Sequence, residues 1–428
     1  MLSSFQREVI DDFEFLSPLG RGGFCEVFRV LKRPSQKTFA LKRYPSLFRS
    51  IGDTRNIIRE LVVFRALGSS GLTPRVETVV CTEMRDSFPF YGGVALVMEE
   101  FPCDLRRFMK GPEGRDCDVR GLAYKLAQAV DFLHRSGLIH RDLKPDNVLI
   151  DPSTSRLVIT DFNHARLFDA ETSEDFSERS SVFSTTGSES FFGDRKRDAE
   201  GAPPPQTKVL GTRFYRSPEV LLLQDHDDKA DIWAFGCIVL ELLHCKLGIG
   251  NHPFFLGENC ETLSPRSEPA TGKSGSGPST ISLSKKDQIL AILRAFGPQP
   301  RSAFSFVQKE KFRSFLQNFS KFRCRGPGLF ARLESLNIDG QLIDLLRRTL
   351  ALDPSKRPCA AEVLAHPFFL PLPLSPLAPK PLRLEPRLVE LKQRNVSEAR
   401  LAEILAEELD RYKPPCPDKR FRKKSSLF

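Results

Sequence analysis

The stretch that decides the fold is IHRDLKPDNVLI, residues 139–150. Within it His140, Arg141, Asp142, Lys144, Asp146 and Asn147 crowd into one octet between apolar neighbours. No ordinary core or turn requires that density, because a charge taken out of water must be paired or neutralised. The set suits one kind of chemistry. Moving a phosphoryl group to a hydroxyl needs a carboxylate to orient the hydroxyl and accept its proton, a cation near the phosphoryl, and oxygen ligands for magnesium. Asp142, Lys144 and Asn147 match those needs.

Downstream, VITDFNHAR, residues 158–166, is a β-branched run that should bury itself as a strand but stops on the acid Asp161. Upstream, LGRGGFCEV, residues 19–27, sets Gly20, Gly22 and Gly23 between two apolar strands. Glycine lets backbone N–H groups come close to phosphate oxygens. A plain hairpin turn reads the same way, so both readings stand at this point. In FALK, residues 39–42, a single lysine falls in an apolar strand. A buried ammonium is costly unless paired, and Glu60, in the helical stretch NIIREL, can supply the partner. A surface lysine is the alternative.

Together these segments resemble a eukaryotic protein kinase of the Ser/Thr type. HRDLKPDN resembles the catalytic loop, FALK the strand lysine, Glu60 the helix glutamate that pairs with it, and DFN the metal-binding DFG motif. SPE at 217–219 resembles the APE motif and DIWAFG at 231–236 the D-x-W-x-x-G helix, while Arg357 in DPSKRP resembles the arginine that pairs with Glu219. The ordered matches run from residue 13 to residue 370. Lys144 is similar to Ser/Thr-specific rather than Tyr-specific members. GTRFYRSPEVLL, and FFLGEN followed after an insertion by DQILAILRAFGPQP, resemble the CMGC group. Within that group FPCDLRRFM looks like a cyclin-dependent kinase hinge, RELVV like a mitogen-activated kinase helix, and RFYRSPEVLL like the dual-specificity, tyrosine-regulated branch.

The resemblance implies an α+β, bilobal fold: a small antiparallel β N-lobe with one main helix (13–101) and a larger α-helical C-lobe (102–370). It implies ATP and Mg2+ as cofactors and protein substrates as partners. Asp142, Lys144, Lys42 and Glu60 are then the catalytic set, and Asn147 and Asp161 the metal ligands. The nucleotide falls to Leu19, Gly20, Arg21, Gly22, Gly23, Phe24, Cys25, Glu26 and Val27 of the phosphate loop, with Ala40, Lys42, Met98 as gatekeeper, Glu99 and Phe101 of the hinge, Asp104 near the ribose, and Leu149. Arg141 implies control by phosphorylation, since its guanidinium would lie buried and unpaired without a phosphate. Thr207 stands where the activating threonine falls, and Val209 takes the second, tyrosine position, which argues against dual activation. Arg216 points weakly to proline after the target residue. An upstream activating kinase and a cyclin-like or scaffold partner are further implied partners.

Two departures qualify the match. Asn163 replaces the usual glycine, and asparagine tolerates left-handed backbone at a cost on the order of 1 kcal/mol, so metal binding should survive with a shifted loop balance. Cys25 takes the place of the third loop glycine. The competing reading is a weakly active or inactive, nucleotide-binding scaffold.

The 428 residues, 40% hydrophobic and 28% charged, have ordinary globular composition. No stretch approaches the roughly 18 apolar residues that span a bilayer. The expectation is a soluble chain in the cytosol or nucleus that does not use a membrane. Ten cysteines without a C-x-x-C pair are expected to be reduced thiols. About half of the net charge of +10 lies from Pro371 onward, where 13 Lys/Arg face 8 Asp/Glu and KRFRKK spans Lys419 to Lys424. That tail reads as a solubilising segment or as a nuclear-import or polyanion-binding patch, and the mixed charge elsewhere argues against nucleic acid as a partner. Residues 1–12 form an N-terminal extension. Residues 168–206 and 258–284 read as disordered inserts, and 371–428 as a Pro-rich and basic tail with a helix over about 397–412. In that helix Ser397 is the expected cap, and the stripe Leu401, Ile404, Leu405 and Leu409 is expected to pack back on the body.

Overall fold

Strands dominate the first hundred residues because β-branched and aromatic side chains alternate there between short turns. The computed structural model describes residues 13–167, 212–257, 288–370, 372 and 386–412, apart from 23–24, 34, 46, 48–49, 69, 83–92, 223, 324–326 and 393–395. Both expected inserts, Thr207, Val209 and the basic run 419–424 lie outside the described residues, as do Gly23 and Phe24.

The chain divides into two units, the first drawn from residues 1–107, 146–167 and 379–428, the second from 108–145 and 168–378. In the first, β1 (Phe13–Arg21), β2 (Glu26–Lys32), β3 (Lys37–Tyr44), β4 (Val76–Thr82) and β5 (Gly93–Glu99) form an antiparallel sheet of order β1-β2-β3-β5-β4. Phe13, Val30, Leu41, Ala95 and Val97 fill one core, with Phe15, Phe28 and Phe39 packed against it. A second, three-stranded ladder joins β6 (Cys103–Asp104), β7 (Val148–Asp151) and β8 (Arg156–Ile159).

Helix α1 (Ile51–Leu67) begins at Ser50, whose hydroxyl accepts a bond from the Asp53 N–H at 3.0 Å. From Glu60 to Phe64 every residue is wholly buried. Five consecutive buried positions circle a helix, so α1 needs cover on all sides.

In the second unit α2 (Val119–Arg135) buries Leu122, Leu126, Val130 and Leu133 at the expected spacing. Helix α3 (Lys229–Lys246) is buried almost throughout. Its Trp233 stacks on Phe255 and Phe296, with ring centroids 5.8 and 6.1 Å away. Gly236 is required there, because a Cβ would come within 2.7 Å of Thr349 Oγ1 and 2.9 Å of Leu350. The expected contrast between an antiparallel β part with one main helix and a helical part is borne out.

The C-terminal helices α4 (Pro386–Lys392) and α5 (Glu398–Tyr412) belong to the first unit. Ser397 caps α5 by accepting from the Arg400 N–H at 3.2 Å. Leu401, Ile404 and Leu405 are buried, Leu409 partly so. The helix lies on α1: the Tyr412 hydroxyl donates to the Leu61 carbonyl at 2.6 Å, and Arg65 pairs with the fully buried Glu408. This is the missing side of α1's cover.

Candidate active site

In the first unit, the antiparallel register puts Lys42 opposite Val27 on one neighbour and Leu96 on the other. Its ammonium is buried, 2.7 Å from Glu60 Oε1 and 3.0 Å from Asp161 Oδ1. Burial alone would pull the lysine's pKa down, but the carboxylates of Asp161 and Glu60 outweigh it and raise it well above the ordinary value. Glu60 has no exposed surface, and burial pushes its carboxyl up against the pull of Lys42. Phe162 packs beside this group, its ring edge-on to Phe64 of α1 at 5.4 Å.

The residues that follow Asp161 depart from expectation. The left-handed backbone is at Asp161 itself, with φ 68° and ψ 69°, and Asn163 is not among the described residues with positive φ. The anticipated strain at Asn163 is therefore corrected: its side chain makes bonds instead. Nδ2 donates to Asp161 Oδ1 at 2.7 Å, Oδ1 lies 3.3 Å from the Tyr44 hydroxyl, and the backbone carbonyl accepts from Arg59 Nη1 at 2.9 Å. Tyr44 also bonds Glu60.

Asn147 is buried, and its carbonyl accepts from the Thr160 N–H at 3.0 Å, which ties its segment to the one carrying Asp161. Two oxygen-bearing side chains on adjoining backbone suit magnesium, which is typically held by one or two protein carboxylates or amides together with substrate phosphates. Among the described residues no group of three or more His, Cys, Asp or Glu forms a closed cage.

Of the remaining nucleotide candidates, Leu19, Gly20 and Arg21 end β1, Glu26 and Val27 open β2, and Gly22 donates to the Cys25 carbonyl at 2.8 Å. A Cβ on Gly22 would lie 3.3 Å from the Cys25 sulfur. Burial pushes the Cys25 thiol up, more than Lys42 pulls it down, so it is held as a thiol. Ala40 and Met98 are partners across β3 and β5. Glu99 donates its N–H to the Arg75 carbonyl at 2.8 Å and pairs with Arg156, whose guanidinium lies 5.1 Å over Phe101. Asp104, opposite Leu149 in the ladder, accepts from the Arg107 N–H at 2.7 Å, and burial raises its carboxyl.

The second unit holds Asp142 and Lys144, 2.6 Å apart. The loop that carries them is fixed by Asp231 of α3, which accepts from the backbone N–H groups of His140 at 2.7 Å and Arg141 at 2.8 Å and from His134 at 3.1 Å. Arg141 takes the left-handed conformation, φ 68°, and is half-buried rather than buried, a correction to the sequence expectation. Arg357 grips Glu219 with two bonds of 2.7 and 2.8 Å while lying over Trp233. Arg216 donates its N–H to the Arg213 carbonyl at 3.2 Å. With Asp142 and Ser217 it lines a small recess.

Residues 13–369 match the family model described as the protein kinase domain. The chain belongs to the protein kinase family. Among curated relatives, this kinase is 26% identical over 401 residues to probable cyclin-dependent kinase 8 of Dictyostelium discoideum, covering 91% of this chain and 89% of the relative. It is 27% identical to mitogen-activated protein kinase 2 of Arabidopsis thaliana, covering 83% and 77%, and 27% identical to mitogen-activated protein kinase 12 of Danio rerio, covering 85% and 80%.

Sequence reasoning missed four residues of this kinase. Tyr44 was visible only as the second residue after Lys42 on the same strand face. Arg55 and Arg59 were visible as an i, i+4 pair on α1, and Arg166 as the base after DFNHA. Burial, with Arg166 and Arg55 nearby, pushes the Arg59 guanidinium down to about 10. Like charges gathered in this way favour an anion among them.

Proposed function

We propose that this kinase is an active, ATP-dependent Ser/Thr enzyme of the CMGC group that transfers the γ-phosphoryl of ATP to protein hydroxyls. The observation that carries this reading is the buried pair of Lys42 and Glu60, with the half-buried Asp161 3.0 Å from the same ammonium. A buried lysine shared between two carboxylates, one of them at a strand end beside Asn147, is the arrangement that phosphate and magnesium handling asks for. Lys42, steadied by Glu60, grips the α- and β-phosphates. Asp142 orients the substrate hydroxyl and takes its proton, and Lys144 beside it balances charge on the γ-phosphoryl. Asn147 and Asp161 are the residues that would hold magnesium, which when bound neutralises charge on the phosphates. Backbone around Glu99 and Phe101 receives the adenine, and Arg156 stiffens that segment from both residues.

The names of the relatives support serine and threonine as targets, and leave an upstream activating kinase and a cyclin-like or scaffold partner as proposals. Regulation follows the same likeness: a phosphate on the segment carrying Thr207 would be met by arginines, with Arg141 and the Arg55, Arg59 and Arg166 group as candidates. Among the described residues no helix is long and apolar enough to cross a membrane, and action in the cytoplasm or nucleus is proposed from the relatives. The scaffold reading loses its support from Asn163, which bonds to Asp161 rather than obstructing it. Transfer of radiolabelled phosphate from ATP to a protein or peptide substrate, wild type against Asp142→Asn, is the test. Equal and negligible incorporation by both would favour the scaffold.

A further inference from the structure

Five side chains of the first unit meet in one circuit of polar contacts. Lys42 Nζ donates to Glu60 Oε1 and to Asp161 Oδ1, Asn163 Nδ2 donates to the same Asp161 oxygen, and the Tyr44 hydroxyl joins Asn163 Oδ1 to Glu60. Glycine at 163 would remove the contacts to Asp161 and Tyr44, and phenylalanine at 44 would remove those to Glu60 and Asn163.

We propose that Asn163, held by Tyr44, is a positioning residue for the metal-binding carboxylate: its amide fixes the rotation of Asp161 before any metal arrives. The inference rests on Asp161 being a magnesium ligand. Asp161 begins from an unfavourable backbone conformation, φ 68°, which costs an aspartate on the order of 1 kcal/mol. Such a conformation persists only where surrounding groups over-determine it. Lys42 at 3.0 Å and Asn163 at 2.7 Å are among the groups that hold it, and both engage Oδ1. Neither bond engages Oδ2. These two bonds resist rotation of the carboxylate about its last torsion.

The amide's orientation follows from its neighbours. An amide turned the other way would set its oxygen against a carboxylate oxygen, so Nδ2 faces Asp161 and Oδ1 faces Tyr44. The phenol has a single proton, and Glu60 takes the closer contact, leaving the 3.3 Å approach to Asn163 as the weaker one. The backbone of Asn163 is held separately by Arg59. Glycine could keep that backbone bond, but neither side-chain bond.

The test titrates magnesium chloride into the full chain at a saturating, fixed concentration of a non-hydrolysable β,γ-imido analogue of ATP, reading the melting temperature. Asn163→Gly is expected to raise the magnesium midpoint by on the order of tenfold, as for loss of one hydrogen bond to a charged group, while metal-free nucleotide binding stays the same. Tyr44→Phe is expected to raise it less, and Tyr44→Phe added to Asn163→Gly is expected to raise it no further. Asp161→Ala, which should abolish the magnesium-dependent rise, tells the two levels apart. If Asp161→Ala titrates like wild type, the ligand assignment fails and takes the inference with it. If Asp161→Ala loses the rise but Asn163→Gly keeps the wild-type midpoint, with at most a lower melting temperature, Asn163 is a packing residue and the inference alone is overturned. Full additivity of the two substitutions would likewise overturn the role given to Tyr44. Should Asn163→Gly fail to fold, Asn163→Ser takes its place with the same outcomes decisive.

Discussion

Arg65 of α1 closes on Glu408 of the C-terminal helix, and the two partners are not buried alike: Glu408 has no exposed side-chain surface, Arg65 keeps 23% of its own. The asymmetry sets the order of two mutants. Arg65→Ala strands a carboxylate without water, leaving among the described residues Arg411 at 3.7 Å as a weaker partner, and breaking a buried pair in this way costs about 3–5 kcal/mol. Glu408→Ala leaves an arginine that can turn toward solvent, and should cost less. Denaturant unfolding of both variants is the check, and equal losses would contradict the argument.

Asp142→Asn keeps shape and removes the proton acceptor. Loss of a positioned general base lowers kcat by about 10²–10⁴-fold. The residues proposed to grip the nucleotide, Lys42, Glu60 and Asp161, belong to the other unit, so the KM for ATP should move little. Steady-state kinetics separate the two parameters. A large rise in KM with kcat preserved would make Asp142 a binding residue.

What could be read in advance follows a physical rule. Lys42 with Glu60, and Arg357 with Glu219, were legible because a charge set in an apolar string demands a partner of opposite sign, and few residues qualify. Arg65 with Glu408 was not, because α1 reads as an ordinary helix until Glu60 to Phe64 are seen to be buried all round. The stripe on α5 did indicate that something would be covered. Asn163 was half legible: the missing glycine marked an unusual turn, but the left-handed residue is Asp161, two positions earlier, and no local pattern reveals that an amide will bond backwards. Tyr44 reads as a residue that simply favours strands. Of the 35 phenylalanines, Phe255 and Phe296 are accounted for by stacking on Trp233 in the helical core.

Asp231 carries a pH dependence of stability. Burial would raise its pKa, but the bond and charge of His134, the charge of His140 and the N–H of Arg141 more than reverse this, so the folded value lies below the ordinary 3.8. An acid depressed on folding contributes stability that is present above its unfolded pKa and lost as pH falls through its folded one. Wild type should therefore be more stable than Asp231→Asn at neutral pH, with the gap narrowing only below about pH 3.8. Urea unfolding of the pair between pH 7 and pH 3 measures it. A gap that stays constant to the acid end would remove the charge from the explanation.

Arg59 leads to a prediction about anions. Its pKa is pushed down to about 10, by burial first and then by Arg166 and Arg55. A base depressed in this way is penalised for its charge throughout the physiological range, and the penalty lifts only as pH rises through the folded value. An anion between the guanidiniums lifts it at neutral pH instead, by binding the folded state alone. Sodium sulfate should raise the melting temperature of wild type by about 2 °C or more over sodium chloride of equal ionic strength. Arg59→Leu should lose most of that difference, since the two remaining arginines no longer have a third charge to share the anion with. An undiminished sulfate effect in Arg59→Leu would locate the anion elsewhere, and phosphate on the activation segment would then need another set of arginines to receive it.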